Sequence, residues 1–209
     1  MQSIAASGIT PLARVPWNEP GIIMKLLDAG AMGIICPMIN NADDAKKFIG
    51  ATKYPPTGYR STGPTRAVLI HGNDYHQEAN DTIISLAMVE TVEALNNVDE
   101  IAETEGLSGI YIGPSDLALA LGLMPGTTEP EHEETIKTIL AAAKKHGIAA
   151  GIHTGSVNQS KKYLDMGFHM VTLGTDRHFM ERMAKSDLAA VRGTSDQEGD
   201  SDSTGDKLY

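Results

Sequence analysis

Polar residues stand at five places in this sequence where a short apolar run gives way to an amphipathic one: Arg14, Glu90, the turn Gly113-Pro114-Ser115-Asp116, His153 and Asp176. Glu90 closes the run Thr82–Val89 and shares one strand face with Ile84, Leu86 and Met88, because strand side chains alternate with period two. A carboxylate on an apolar face needs a partner to offset its desolvation. Asp116 ends the next strand unit. Two carboxylates from neighbouring strand ends, with room between them for water and substrate oxygens, suit Mg²⁺ or Mn²⁺. The same two residues also fit purely structural work, Glu90 starting a helix and Asp116 capping one. Spacing leaves both readings open.

The other positions divide in the same way. Gly113, Ser115 and their neighbours put backbone N–H groups at a helix start, which can hold a carboxylate or phosphate or can simply begin the helix with Pro114. Arg14 brings a fixed charge able to pair with a substrate carboxylate or polarise a carbonyl; an ordinary salt bridge is the alternative. His153, in Gly151-Ile152-His153-Thr154-Gly155, is the one histidine clearly at a strand end, and a hydrogen-bonded structural role competes with substrate contact there. His71 and His76 are expected in loop, and His132 and His146 at helix ends. Cys36 reads as core, and Asp28, late in its helix, as a solvated residue.

The elements that must position these groups follow from periodicity. Apolar runs predict strands at Thr10–Val15, Gly33–Met38, Thr82–Glu90, Ser108–Gly113, Ile148–Ile152 and Phe168–Leu173. Between them lie helices: one opened by Asn18-Glu19-Pro20 and ended by Gly30, then Ala42 to about Gly50, Asn73–Asn80, Thr91 to about Glu105, Pro114 to near Gly122, Pro130–His146, Ser156–Met166 and Asp176–Val191. Tyr54–Arg60 is too Pro-rich for a regular element, and Tyr59–Arg66 is a candidate for an irregular seventh unit. Strands apolar on both faces and alternating with helices predict an α/β fold with a parallel sheet. The first strand ends Arg14-Val15-Pro16-Trp17 and lacks the Gly-rich phosphate turn of a dinucleotide-binding sheet. The reading is therefore a TIM (β/α)₈-type barrel lacking one βα unit, over 1–192, followed by a disordered acidic tail over 193–209. Between Thr194 and Asp206 there are five acids and no base.

Bulk composition sets limits. The 209 residues suffice for one well-buried domain, and a net charge of −10 offers no basic footprint for nucleic acid. One cysteine excludes an internal disulfide framework. No apolar stretch nears the ~20 residues of a membrane helix, and the N-terminus lacks the pattern of a signal peptide. The expected address is cytoplasmic.

Taken together, several motifs in order resemble the HpcH/HpaI family of metal-dependent (class II) pyruvate aldolases. They are Arg14-Val15-Pro16-Trp17-Asn18-Glu19-Pro20, Leu27-Asp28-Ala29-Gly30, Pro37-Met38, Tyr54-Pro55-Pro56-Thr57-Gly58-Tyr59-Arg60, Gly63-Pro64-Thr65-Arg66-Ala67, Val89-Glu90-Thr91, Ile112-Gly113-Pro114-Ser115-Asp116-Leu117 and Gly151-Ile152-His153-Thr154-Gly155. The resemblance spans about residues 9 to 190. It implies a (β/α)₈ barrel in homo-oligomers, often hexamers, that cleaves 4-hydroxy-2-oxo acids or 2-keto-3-deoxy sugar acids to pyruvate and an aldehyde. It implies that Glu90 and Asp116 hold Mg²⁺, Mn²⁺ or Co²⁺, that Arg14 stabilises charge on the oxo group, and that the Gly113–Ser115 amides hold the pyruvate carboxylate. Asp28 matches an acid that tunes a general-base histidine. That histidine belongs to an Asp-x-Glu-His motif on a first strand, which this sequence lacks. Met88 stands where some relatives have a substrate-contacting glutamine. Two expectations follow: a gap between the first and last strands, and, as the alternative to a full aldolase, a protein that binds metal and oxo acids with at most oxaloacetate decarboxylation.

Overall fold

The computed structural model describes residues 1–194. The elements run α1 (Gln2–Ala6), β1 (Leu12–Arg14), α2 (Pro20–Asp28), β2 (Gly33–Cys36), α3 (Ala42–Thr52), α4 (Thr65–His71), α5 (Tyr75–Thr82), β3 (Ile84–Val89), α6 (Val92–Asn96), α7 (Val98–Ala102), β4 (Gly109–Ile112), α8 (Pro114–Ala120), α9 (Pro130–Lys145), β5 (Ala149–Ile152), α10 (Val157–Met166), β6 (Met170–Val171) and α11 (Asp176–Arg192). The six strands are all parallel and lie in sequence order, with β1 and β6 as the two edges. Sequential order with a helix in every crossover is what right-handed βα units produce.

Each strand has two faces with different partners. Ile34, Cys36, Ala87, Val89, Ile110, Ile112, Ala150 and Ile152 point outward into the main core, against Ile23, Leu27, Phe48, Ile101, Ile136 and Ile139 of the helices. The alternate residues Leu86, Met88 and Tyr111, with Leu12, Ile35, Ile84 and Met170, form a second, smaller cluster on the inner face. By the same alternation Arg14, Glu90, Gly113, His153 and Thr172 stand on that inner face at the carboxyl ends of their strands.

Caps set several helix ends. Glu19 caps α2 by accepting from the N–H groups of Gly21 and Ile22, and Asn41, Thr91, Ser156 and Thr175 cap α3, α6, α10 and α11 in the same manner. Gly167 ends α10 at φ 101, a conformation that favours glycine. Asn18 does not cap. It is buried, and its Nδ2 donates to Asp44 O at 3.0 Å, joining α2 to α3.

Four expectations are corrected. Tyr59–Arg66 contributes no strand; the segment is loop, and Thr65 opens α4 instead. His71 ends α4 and does not lie in loop, and His76 lies in α5, inside the helix expected over Asn73–Asn80. The helix expected from Thr91 to Glu105 breaks at Asn97, whose Nδ2 donates to Asn40 O, so it is two short helices. Asp28 is not a plain solvated residue: it pairs with Arg60 at 2.7 Å. Arg60 is 1% exposed, lies 4.5 Å over the Tyr54 ring and donates to Tyr75 Oη. Apart from Gly193 and Thr194, the tail expected over 193–209 lies outside the described residues.

Candidate active site

β3 delivers Glu90 to the rim of the inner face, where it is 1% exposed. Its Oε1 accepts from Met38 N at 2.9 Å. Met38 follows Pro37 at the end of β2 and sits at φ 55, the sole positive φ of a non-glycine residue among the described residues. Such backbone costs on the order of 1–3 kcal/mol and persists where the surroundings enforce it. Here it turns an N–H toward the Glu90 carboxylate.

The second carboxylate oxygen, Oε2, is buried without a hydrogen-bond partner. Burial pushes the Glu90 carboxyl above the usual range; the Asp116 charge adds to this, while the Met38 N–H and the Arg14 guanidinium oppose it. Asp116, half-buried in the first turn of α8, and Arg14, exposed at the end of β1, are thus both near enough to act on Glu90. Arg14 forms no ion pair among the described residues, so the salt-bridge alternative is not realised there.

Gly113 makes this arrangement possible. A Cβ at Gly113 would lie 2.4 Å from Glu90 Oε2 and 3.0 Å from Met88 Cε. The bare glycine leaves a notch beside the orphaned oxygen, at the point where the Gly113–Ser115 backbone turns into α8. His132 of α9 holds this turn, its Nε2 lying 2.9 Å from Pro114 O. Among the described residues no cluster of three or more His, Cys, Asp or Glu side chains assembles. A cation at Glu90 and Asp116 would therefore take two protein carboxylates and fill its other positions with water or substrate oxygens, which is normal for Mg²⁺. An unpaired buried carboxylate oxygen beside a second carboxylate fits such an ion.

His153 follows β5 in the same row. Its N–H donates to Ile112 O, and its Nδ1 lies 3.1 Å from Thr172 Oγ1 and 3.4 Å from Tyr111 Oη. Glu90, Gly113, His153 and Thr172 are neighbours across β3 to β6, with Glu90 and His153 on either side of the glycine notch.

Arg14, Glu90, Gly113, Ser115, Asp116 and His153 all gather at the strand carboxyl ends. The structure does not bring Asp28 there. α2 runs back along the sheet, and Asp28 ends it five residues before β2 starts, at the opposite end of the strands.

The chain as a whole is similar to known proteins. Residues 1–182 fit the HpcH/HpaI aldolase/citrate lyase family model. The chain belongs to this family. A hydroxypyruvate/pyruvate aldolase of Rhizorhabdus wittichii is 41% identical over 192 residues, covering 91% of this chain and 76% of the relative. A 4-hydroxy-2-oxo-heptane-1,7-dioate aldolase of Shigella flexneri is 37% identical over 198 residues, covering 93% and 74%. Among solved structures, an HpcH/HpaI aldolase/citrate lyase family protein of Burkholderia cenocepacia superposes with a TM-score of 0.85 at 32% identity, over 91% of this chain and 77% of the other. The (β/α)-type fold and lyase-type enzyme class expected from the motifs accord with these matches. No helix of the described residues is long and apolar enough to cross a membrane.

Sequence reasoning missed Tyr111 and Thr172, and it had Met38 only as part of the Pro37-Met38 motif, without a role. The first two were reachable, since Tyr111 lies two residues before Gly113 and Thr172 two after Met170, which places both on the inner face. The motif does not reveal what Met38 does, because its backbone N–H and positive φ are not written in a side chain.

Proposed function

We propose that this chain is a carbon–carbon lyase that cleaves 4-hydroxy-2-oxo acids, or 2-keto-3-deoxy sugar acids, to pyruvate and an aldehyde, with a divalent cation held by Glu90 and Asp116. The observation that supports this most is Glu90 Oε2, buried without a partner beside the Asp116 charge. Mg²⁺, Mn²⁺ or Co²⁺ bound there would supply positive charge for the keto and carboxylate oxygens of the oxo acid, lowering the cost of an enolate.

This chain's own residues supply the rest. The Arg14 guanidinium stabilises negative charge as it develops on the oxo group. The Gly113 and Ser115 amides, at the start of α8, take the substrate carboxylate. The Gly113 notch lets the substrate approach Glu90 closely. Met88 supplies an apolar wall beside the notch, which limits the water around the reacting atoms. In this reading the six-stranded sheet is part of a (β/α)₈-type barrel, β1 and β6 are the edges that further βα units would join, and the protein works as a homo-oligomer in the cytoplasm.

The test is cleavage of 4-hydroxy-2-oxoheptanedioate, with oxaloacetate decarboxylation measured in parallel. The expected result is turnover that EDTA abolishes, Mn²⁺ or Mg²⁺ restores and Glu90→Ala removes. Decarboxylation without cleavage would restrict the site to enolate stabilisation. EDTA-insensitive turnover that borohydride traps on a lysine would refute the proposal.

A further inference from the structure

The loops that leave β5 and β6 enclose a cleft that the site described so far does not use. His153, Gly155, Gly174, Thr175, Arg177 and His178 line it. Arg177 and His178 come from the first turn of α11, and no carboxylate is among the lining residues. β5 pairs with β4 in parallel register, and His153 N donates to Ile112 O, so this edge of the cleft stands next to Gly113. The cleft therefore lies one to two strands beyond the notch beside Glu90.

Its chemistry suits an anion held by side chains. Several backbone donors nearby are already satisfied: Arg177 N donates to Asp176 Oδ1, His178 N to Thr175 Oγ1 and Gly155 N to Gln159 Oε1. The first of these also turns the Asp176 carboxylate onto its own helix. The Arg177 guanidinium has one ion pair among the described residues, to Glu181 at 3.8 Å, which is longer than a hydrogen bond. Its planar fork of five N–H donors matches a carboxylate or phosphate. The His178 imidazole adds at least one N–H in either tautomer. A Cβ at Gly174 would lie 3.2 Å from the Phe179 ring and 3.7 Å from His178 Cδ2, so the loop after β6 folds closely onto the first turn of α11.

The reach also fits. Adjacent strands lie about 4.8 Å apart, so the loops after β5 and β6 start roughly 5 and 10 Å from Gly113. An extended chain advances about 1.2 Å per bond, so the distal carboxylate of 4-hydroxy-2-oxoheptanedioate stands about 6 Å from the oxo carbon, and a 6-phosphate on a 2-keto-3-deoxy sugar acid about 7 Å from it. We propose that this cleft is the subsite for a terminal anion, carboxylate or phosphate, on the aldehyde half of the substrate, with Arg177 and His178 as specificity-determining residues; the proposal rests on the lyase reading above. Substrates whose aldehyde product carries a terminal negative charge are then preferred over neutral ones.

The experiment measures kcat/KM with Mn²⁺ for two matched pairs: 4-hydroxy-2-oxoheptanedioate against 4-hydroxy-2-oxoheptanoate, and 2-keto-3-deoxy-6-phosphogluconate against 2-keto-3-deoxygluconate. Wild type should prefer the charged member of at least one pair by about 10-fold, the size of one charge-assisted hydrogen bond to a side chain that is 65% exposed. The pair that shows the preference names the anion. Arg177→Gln should bring that ratio to within about twofold of one, mainly through KM. Arg177→Lys should keep part of the ratio, and Arg182→Gln, elsewhere on the same helix, all of it. Equal rates within both pairs for an active wild type, or a ratio unchanged in Arg177→Gln, overturn the proposal and leave the lyase reading standing. If wild type cleaves none of the four, the lyase reading fails, and the cleft is judged by NMR titration with succinate and with inorganic phosphate. Movement of the His178 ring signals (assigned by their loss in His178→Ala) in wild type but not in Arg177→Gln supports the anion subsite; no movement with either anion overturns it.

Discussion

Replacing Gly113 by alanine adds a single methyl group at the point where the candidate site is tightest. Gly113 has φ −94, open to any residue, so the backbone adds no strain and the effect is steric. The new Cβ would lie 2.4 Å from Glu90 Oε2, and the carboxylate would have to move by about 1 Å to reach ordinary van der Waals contact. It has little freedom to do so: Oε1 is tied to Met38 N at 2.9 Å, and Met88 Cε crowds the same methyl at 3.0 Å. Losing the Met38 hydrogen bond to a charged acceptor costs about 1.5–3 kcal/mol. If that cost falls on metal binding, the Mn²⁺ dissociation constant should rise roughly 10- to 150-fold. Isothermal titration of Mn²⁺ into wild type and Gly113→Ala measures this directly, with thermal unfolding of the metal-free proteins as the control for folding. An unchanged Mn²⁺ affinity in a folded Gly113→Ala protein would refute the argument that the notch shapes the Glu90 site.

Other consequences can be measured without substrate. Cys36 is fully buried, and its thiol is pushed up to about 12, chiefly by burial, so native protein should resist thiol reagents at pH 8 and react only on unfolding; rapid native labelling would contradict this. Asp28→Ala leaves the Arg60 guanidinium buried without its carboxylate; because Asp28 is itself partly exposed, a loss of roughly 2–3 kcal/mol in urea unfolding is expected, below the full cost of breaking a buried pair, and a loss near zero would refute the assignment. Lys162 beside Glu133 holds that carboxyl below its usual range, so the Glu133 contribution is complete above the unfolded carboxylate pKa and is lost as pH falls through the lower folded value. The melting-temperature difference between wild type and Glu133→Gln should therefore shrink in acid; a difference that grows toward low pH would reverse the sign.

Much of this arrangement was legible from period alone. The alternation Ile84, Leu86, Met88, Glu90 fixed which face of β3 carries the carboxylate, and parallel register then placed Gly113 and His153 beside it. What stayed hidden is non-local. Nothing near Arg60 in sequence shows that its guanidinium is buried between Tyr54 and Tyr75, because those contacts depend on how a Pro-rich loop folds back onto α2 and α5. The break at Asn97 likewise depends on Asn40, 57 residues away, which captures its side chain. Asp28 shows the limit of motif matching: its residue type fits the family pattern, but chain direction puts it at the other end of the sheet from Glu90.

The proposed lyase depends on a divalent cation shared by Glu90 and Asp116. An anomalous difference map from crystals grown with Mn²⁺ and pyruvate tests it most directly. One strong peak is expected between the two carboxylates, absent from Glu90→Gln crystals, with pyruvate oxygens completing the coordination beside the Gly113 notch. A folded wild-type protein with no peak at that position, or with its Mn²⁺ bound elsewhere, would contradict it.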